Sequence, residues 1–312
     1  MALYVQTNVS SLNSQRRLNS ATNSLDTTYQ RLSSGLRINS AKDDAAGLQI
    51  SNRLTSQIDG LNQGNRNAND GIALCQTMEG ALDETTSMLQ RIRTLAIQAA
   101  NGTNTTVDRQ AIQEEVLQLS QEITRIACKT TYAGRQCIAG VGGVDKGGVL
   151  NKEGVCSFQV GAYAFDTLSI SMSNGFTLSG ICQGVTGGAI TAQTNKLTTS
   201  TGIYKDDTGH YAFSVFSASA AQYTIQTIDK LINVVDSKRA ELGALQNRME
   251  STIRNQENVA ENVSDARSRI RDADYAEEAA NLSAQNIIQQ AATTVLTQAN
   301  SRPQIALNLL GG

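Results

Sequence analysis

The chain has 312 residues and a formal net charge of −2, with only 4% aromatic residues and no tryptophan. So few aromatic residues favour thin helical packing over a wide enzyme interior, and the near-neutral charge excludes the basic footprint of a protein that binds nucleic acid or an anionic membrane. No stretch approaches the roughly 18 consecutive apolar residues of a membrane span, so we expect no membrane insertion. The first residues lack the basic and apolar regions of a secretory signal, which predicts a protein that stays in the cytosol or leaves by another route.

The first predicted element is a helical arm. The only proline is Pro303, so no proline interrupts a helix before it. Apolar residues in the arm alternate at spacings of four and three, the pattern of a seam that faces a partner helix. We expect Leu25, Leu32 and Leu36 to lie on this assembly seam and the arm to end near Gly35.

The next element is a long helical rod over residues 54–96, roughly 65 Å of helix, and it has a counterpart of equal length over residues 228–270. We expect the two rods to lie side by side as an antiparallel pair. A turn at 101–104 and a shorter helix over 112–126 follow the first rod. The residues expected to pack the rods are Leu54, Ile58, Leu61, Ile72 and Leu82 on the first and Ile232, Val235, Leu242, Met249 and Ile253 on the second.

The middle of the chain, from about residue 132 to 214, has a different pattern. Glycine is frequent there, and apolar residues alternate with polar ones at 157–160, 168–172 and 211–215, which predicts short strands. The fold class is therefore mainly α: long antiparallel helical rods or coiled coil from both termini, with a small β-rich central insertion.

A last helical arm follows residue 275, with Ile288, Val295 and Leu309 on its seam. The two arms carry too few large apolar residues to offset the entropy of ordering them, and some of those residues lie off the seam. We therefore expect both arms to fold when many copies of the chain assemble. An open head-to-tail assembly of this kind forms a filament.

The residues that usually carry chemistry do not form a site. The single histidine, His210, does not complete HExxH, and the five cysteines lack CxxC or zinc-finger spacing. We expect no catalytic, metal or cofactor site and no enzyme activity. Asp43 and Asp44 are expected to cap the first rod and not to bind a metal. Cys137, Cys156 and Cys182 could pair in an oxidising exterior, although the odd cysteine count leaves this open.

Several stretches resemble bacterial flagellin. They are QRLSSGLRINSAKDDAAGLQIS at 30–51, LQRIRTLAIQ at 89–98, ARSRIRDADY at 266–275, and the segments 60–71 and 242–248. The resemblance covers roughly residues 1–140 and 217–312. It implies a structural subunit of the extracellular flagellar filament, the motility propeller, with a terminal coiled-coil domain at 1–44 and 276–312, a rod domain at 45–172 and 217–275, and a short variable outer insertion at 173–216.

The resemblance also implies partners. They are further copies of the chain as a homopolymer, the flagellar type III export system with its chaperone on roughly 279–310, and the cap and hook-junction proteins. It implies recognition by host flagellin receptors through the segment 30–51, including Gln30, Arg31, Asp43 and Asp44, and through Arg91, Leu95 and Glu115. The alternative is a hook–filament junction or capping protein, which shares paired ends but matches 30–51 and 89–98 poorly.

Overall fold

The computed structural model describes residues 7–140, 148–151, 153–172, 174–186, 202–205 and 211–310, with no side chains described for 303–310. Helices dominate this part of the chain, which confirms the predicted fold class. The helices are α1 (Val9–Ser34), α2 (Ala45–Ala100), α3 (Thr106–Lys129), α4 (Leu178–Thr186), α5 (Ala218–Arg271) and α6 (Tyr275–Leu310). The strands are β1 (Thr131–Tyr132), β2 (Arg135–Gln136), β3 (Val155–Gln159), β4 (Thr167–Ser171), β5 (Ile203–Lys205) and β6 (Tyr211–Phe213). Within these ranges, no helix is long and apolar enough to cross a membrane.

The ends of the helices follow local chemistry. Gly35 ends α1 in the left-handed conformation, at φ 71°, and its N–H donates to the Arg31 carbonyl at 2.8 Å; glycine adopts this conformation without a Cβ penalty. Asp44 caps α2 by accepting from the Gly47 N–H at 2.9 Å, where its charge also complements the helix dipole. The predicted end of the first arm is confirmed, and so is the predicted capping for Asp44, whereas Asp43 accepts from Asn39 and Ser40 in the loop before α2.

The chain divides into two compact units. The first comprises Met1–Asp59 and Val259–Gly312. In it, α1 and α6 run antiparallel, because the start of α1 contacts the far end of α6 through the Asn8 side chain and the Ala299 carbonyl, 2.7 Å apart. An isolated β-bridge joins Leu36 to Asp272, just before α6 begins.

The second unit comprises Gly60–Asn258. In it, the predicted antiparallel pairing of the rods is seen between α2 and α5, since Arg93 pairs with Asp229 at 2.7 Å and Asp83 pairs with Arg239 at 2.9 Å. The core of this unit lies between α2, α3, α4, α5 and the strands. It contains Leu82, Leu89, Ile92, Val116, Ile123, Leu178, Phe213, Ile228, Val235 and Leu242. Each such side chain contributes about 1.5–3 kcal/mol by leaving water.

The strands of the second unit form antiparallel hairpins, β1 with β2, β3 with β4, and β5 with β6. β3, β4 and β6 match the predicted strands. Helix α4 was not predicted, because the frequent glycines around it indicated a loop and strands. It forms because Leu178, Ile181 and Cys182 share one helical face, and all three are buried in the core. His210 lies outside the described residues.

Candidate assembly surface

The first unit exposes large apolar side chains on both of its paired helices. On α1 these include Val9 and Leu12, and on α6 they include Ile287, Ile288 at 47% and Val295 at 56% exposed. Scattered exposed apolar residues are ordinary on a protein surface, whereas a set that follows two adjacent helices is a candidate interaction surface. We name the residues Val9, Leu12, Ile287, Ile288 and Val295 the apolar strip.

The seam between α1 and α6 inside one chain includes part of the predicted set. On α1, the buried residues are Leu25, Ser14, Ala21 and Thr28, and the half-buried residues are Leu32 and Leu18. On α6, the inward residues are Glu278, Leu282, Gln285, Gln289, Ala292, Leu296 and Ala299, which recur at spacings of four and three. Ile288 and Val295 lie beside this face and not on it, and the side chain of Leu309 lies outside the description.

A groove of about 690 Å³ runs between α1 and α6. Its walls include Ser10 and Ser14 from α1 and Ile288 and Val295 from α6, with Arg17 and Arg302 also lining it. The groove is therefore lined by apolar residues of α6 together with one arginine from each helix.

Polar contacts set the register of α1 against α6. The Ser11 hydroxyl donates to the Asn300 side chain at 2.7 Å. Toward the other end of the pair, the Arg31 guanidinium donates to the Glu278 carboxylate at 3.0 Å. These contacts lie about twenty residues apart along each helix, so they oppose sliding of one helix along the other.

The residues expected from the resemblance to meet a host receptor fall into two groups. In the second unit, Arg91 and Glu115 are exposed and form an ion pair at 2.7 Å, whereas Leu95 is only 4% exposed and packs in the core. Arg91 and Leu95 thus lie one helical turn apart, but only Arg91 reaches the surface.

In the first unit, Gln30, Asp43 and Asp44 are exposed and Arg31 is half-buried. The Asp43 carboxylate accepts from the Ser40 N–H at 2.9 Å and from the Asn39 N–H at 3.2 Å. The hydrogen bonds of Asp43 and the cap at Asp44 show that these carboxylates order the loop that precedes α2.

The residues expected to pack the rods lie inward to different degrees. Leu61, Leu82, Val235, Leu242 and Met249 are buried. The half-buried members are Leu54, Ile58, Ile72, Ile232 and Ile253. The core face of these helices is wider than the predicted seam, since Leu74, Met78 and Leu231 lie off the four–three pattern and are also buried.

The five cysteines carry free thiols, and Cys75, Cys137 and Cys182 are buried. Burial raises the pKa of Cys75 to about 11 and that of Cys182 to about 12, because a thiolate is poorly solvated in an apolar environment. Among the described residues, no three His, Cys, Asp or Glu side chains come together in a way that could hold a metal ion.

Sequence reasoning missed the ion pair between Arg31 and Glu278 and the inward stripe of α6 that contains Leu282 and Leu296. The second omission had a visible signal. Leu282, Ala292 and Leu296 share one face with Ala299 at spacings of four and three, beside the stripe of Ile288 and Val295. Two overlapping apolar stripes on one helix indicate two partners. The spacing alone does not show which stripe packs against α1 within the chain.

The chain is similar to known proteins in sequence and in fold. Family models described as "Bacterial flagellin N-terminal helical region" and "Bacterial flagellin C-terminal helical region" match residues 5–142 and 225–310. The chain is 37% identical to Polar flagellin F of Vibrio parahaemolyticus and 39% identical to Flagellin B of Vibrio anguillarum, in both cases over 100% of each sequence. A solved structure, described as a flagellar hook-associated protein from Vibrio parahaemolyticus, matches 74% of the chain and 100% of its own length, with a TM-score of 0.55 and 16% identity. That last similarity concerns the fold alone.

Proposed function

The chain belongs to the bacterial flagellin family, whose members self-assemble into the flagellar filament, and from this premise we propose that the apolar strip of α1 and α6 is where copies of the chain pack together. The family is structural and not enzymatic, and the chain is a filament subunit. The proposal concerns which residues make the contacts. The observation that carries it is the exposure of Ile288 and Val295 beside the groove between α1 and α6.

The energetics favour an assembly role for the strip. Burial of such a side chain from full exposure contributes about 1.5–3 kcal/mol, so covering the exposed half of Ile288 or Val295 contributes roughly half as much. One partner helix already occupies the inward stripe of α6. A second copy is therefore the available source of burial for Ile288 and Val295. Ile288 and Val295 line the groove, whereas Val9, Leu12 and Ile287 are not among its lining residues. The proposed contact is heterologous, with the groove side of one copy meeting a different surface of the next, because such a contact extends into an open polymer.

A charge placed in the strip tests the proposal. Val295→Asp should block polymerisation, because assembly would bury a carboxylate without a counter-charge. The matched control is Gln290→Asp, which puts the same residue on an exposed position of α6 outside the groove lining. Electron microscopy and sedimentation after seeding should show filaments from the control and from the unaltered chain, but none from Val295→Asp. Equal filament yield from both variants would contradict the role of the strip.

The same proposal assigns three parts of the chain to three domains of the filament subunit. Residues 1–44 and 276–312 form the terminal coiled-coil domain, residues 45–172 and 217–275 the rod domain, and residues 173–216 the outer insertion. The pairing of α1 with α6 and of α2 with α5 supports the first two. Leu178, Ile181 and Phe213 of the third pack in the core of the second unit and so join the base of the insertion to the rod domain. Removal of residues 276–312 should leave a folded protein that does not polymerise, and normal filaments from that truncation would contradict the assignment.

Export is proposed to occur in the unfolded state through the flagellar type III system, with the export chaperone on 279–310 and with the cap and hook-junction proteins as later partners. The free thiols support this route, because a chain without disulfides can be threaded without prior reduction. In a strain without the flagellar export apparatus, the chain should be retained in the cells. Its secretion by such a strain would contradict the proposed route.

Host recognition is proposed at Arg91 and Glu115, with Leu95 as internal support of the helix. Arg91→Ala should weaken receptor activation by soluble subunits. An exposed ion pair contributes only about 0–1 kcal/mol, so folding should be little affected. Unchanged activation by a folded Arg91→Ala protein would exclude this residue. The segment 30–51 is proposed as the second recognition site, in which Gln30, Arg31, Asp43 and Asp44 are the residues to substitute.

A further inference from the structure

Strand β3 and the residues after it lie along helix α2 in the opposite direction. A methyl group on Gly60 would meet Ala162, and one on Gly64 would collide with the Val160 carbonyl. One on Gly71 would meet Met249 of α5 first and then the Phe158 ring. Between these points, the Asn67 side chain donates to the Gln159 carbonyl at 2.9 Å. β3 and the residues after it therefore pack directly against the glycine face of α2. The two segments run antiparallel, so residue numbers decrease along the strand as they increase along the helix.

Extending this alignment by one helical turn beyond Gly71 leads to two cysteines that we expect to be neighbours. Two residues of a strand advance about 6.6 Å, and four residues of a helix advance about 6 Å. Two residues before Phe158 is Cys156, on the same face of β3, and four residues after Gly71 is Cys75. Cys75 belongs to the core, and Cys156 packs against that core. The Cys156 thiol also contributes, after burial, to the raised pKa of Cys75, which is consistent with neighbouring sulfur atoms.

We propose that Cys75 and Cys156 form an oxidisable pair that a low-molecular-weight disulfide, such as oxidised glutathione, converts into a disulfide between α2 and β3. The Cys156 thiolate attacks one glutathione sulfur and releases a glutathione thiol. The Cys75 thiolate then attacks the Cys156 sulfur of this mixed disulfide and releases the second glutathione. The protein loses two electrons and two protons, and oxidised glutathione takes up all four to become two glutathione thiols.

The accessibility of the two thiols fixes this order. Cys156 is half-buried, while Cys75 has no exposed surface, so the external reagent reaches Cys156 first. The remaining cysteines have other surroundings. The Cys137 thiol donates to the Thr130 carbonyl at 3.3 Å, and Cys182 is buried in α4.

The disulfide would close a long loop within the second unit and join the β3–β4 hairpin covalently to α2. The stage at which this disulfide forms, after export from the cell, rests on the proposed function. The thiols stay reduced in the cytosol, which permits export of an unfolded chain, and oxidation follows outside the cell. The chemistry itself is independent of polymerisation and is measurable on the monomer.

Mass spectrometry of the full-length monomer tests the pair. The folded protein is incubated with oxidised glutathione, remaining thiols are alkylated, and the chain is digested without reduction. We expect a peptide containing Cys75 linked to one containing Cys156. Cys75→Ala should instead accumulate glutathione on Cys156, and Cys182→Ala should retain the link. Oxidation should also raise the thermal midpoint of the unaltered chain but not that of Cys75→Ala.

Three results would overturn the proposal. They are free thiols at both positions in a folded, oxidised monomer, a link from either residue to Cys128, Cys137 or Cys182, and a link between copies of the chain. If Cys75→Ala fails to fold, Cys156→Ala replaces it, and there Cys75 should stay unmodified. Filament formation by the reduced protein is scored separately, so failure of the thiol pair is distinguishable from failure of the proposed assembly.

Discussion

The Arg31 guanidinium donates to the Glu278 carboxylate at 3.0 Å and joins α1 to α6, with 32% of the Arg31 side chain but only 8% of the Glu278 side chain exposed. The two partners are therefore unequal. If the arginine is lost, a carboxylate stays buried without its counter-charge, whereas if the glutamate is lost, the guanidinium still reaches water.

This asymmetry predicts different costs for two substitutions. Arg31→Met should lower the free energy of opening the α1–α6 pair by about 1–3 kcal/mol, because it leaves Glu278 buried and unpaired. Glu278→Gln should cost less, since it removes the buried charge itself. Hydrogen exchange of the α1 and α6 amides measures both. An equal or smaller loss in Arg31→Met would contradict the assigned burial of Glu278.

Two glycines of α2 should respond to alanine in opposite directions. Gly64→Ala places a methyl group against the Val160 carbonyl and should destabilise the second unit by about 1–3 kcal/mol through overpacking. Gly80 has no neighbour within 4 Å of such a methyl group, so Gly80→Ala should stabilise by about 0.5–1 kcal/mol through helix propensity. Denaturant unfolding compares the two variants. A stable Gly64→Ala protein would refute the close contact between β3 and α2.

A buried glutamine connects α3 to the segment around β6. The Gln113 amide donates to the Phe213 carbonyl at 2.7 Å and accepts from the Val215 N–H at 2.6 Å. Gln113→Leu leaves both backbone groups unpaired in the core, at about 1–3 kcal/mol for each. The exposed Gln110→Leu on the same helix is the control and should be near neutral. Thermal unfolding that shows equal losses in both variants would count against the buried role of Gln113.

The loop before α2 should depend on pH through Asp43. The backbone N–H of Ser40, then its hydroxyl and the N–H of Asn39, hold the pKa of Asp43 below the ordinary value of 3.8. A folded pKa below the unfolded one contributes stability that is present above about pH 3.8 and is lost as the pH falls through the lower folded value. Protection of the Ser40 amide should fall in that window, and Asp43→Asn should remove the dependence. The same acid response in Asp43→Asn would assign the effect to another group.

Local signals predicted much of the fold. Apolar spacing, the absence of proline before Pro303 and the turn at 101–104 predicted two long rods. Helix α2 indeed ends at Ala100, directly before that turn. A capping box formed by Thr105 and Asp108 then starts α3. Such signals act within a few residues, so they are visible in a single sequence.

Other features depended on contacts between distant segments. Helix α4 was missed because Gly180 and Gly184 weaken the local preference for a helix, and it forms through burial of its apolar face in the core. The resemblance did not reveal that Leu95 lies inward beside the exposed Arg91, because periodicity marks a face without saying which face the rest of the protein covers.

By itself, the sequence determined the helices, their breaks and the family, since hydrogen-bonded caps, glycine turns and apolar periods are properties of short segments. Only the tertiary structure decided that α6 presents Leu296 to α1 and leaves Val295 exposed beside it, and that Gly64 of α2 lies against the Val160 carbonyl. Both outcomes depend on which distant surfaces meet, because burial is a property of the packed chain and not of the segment that carries the residue.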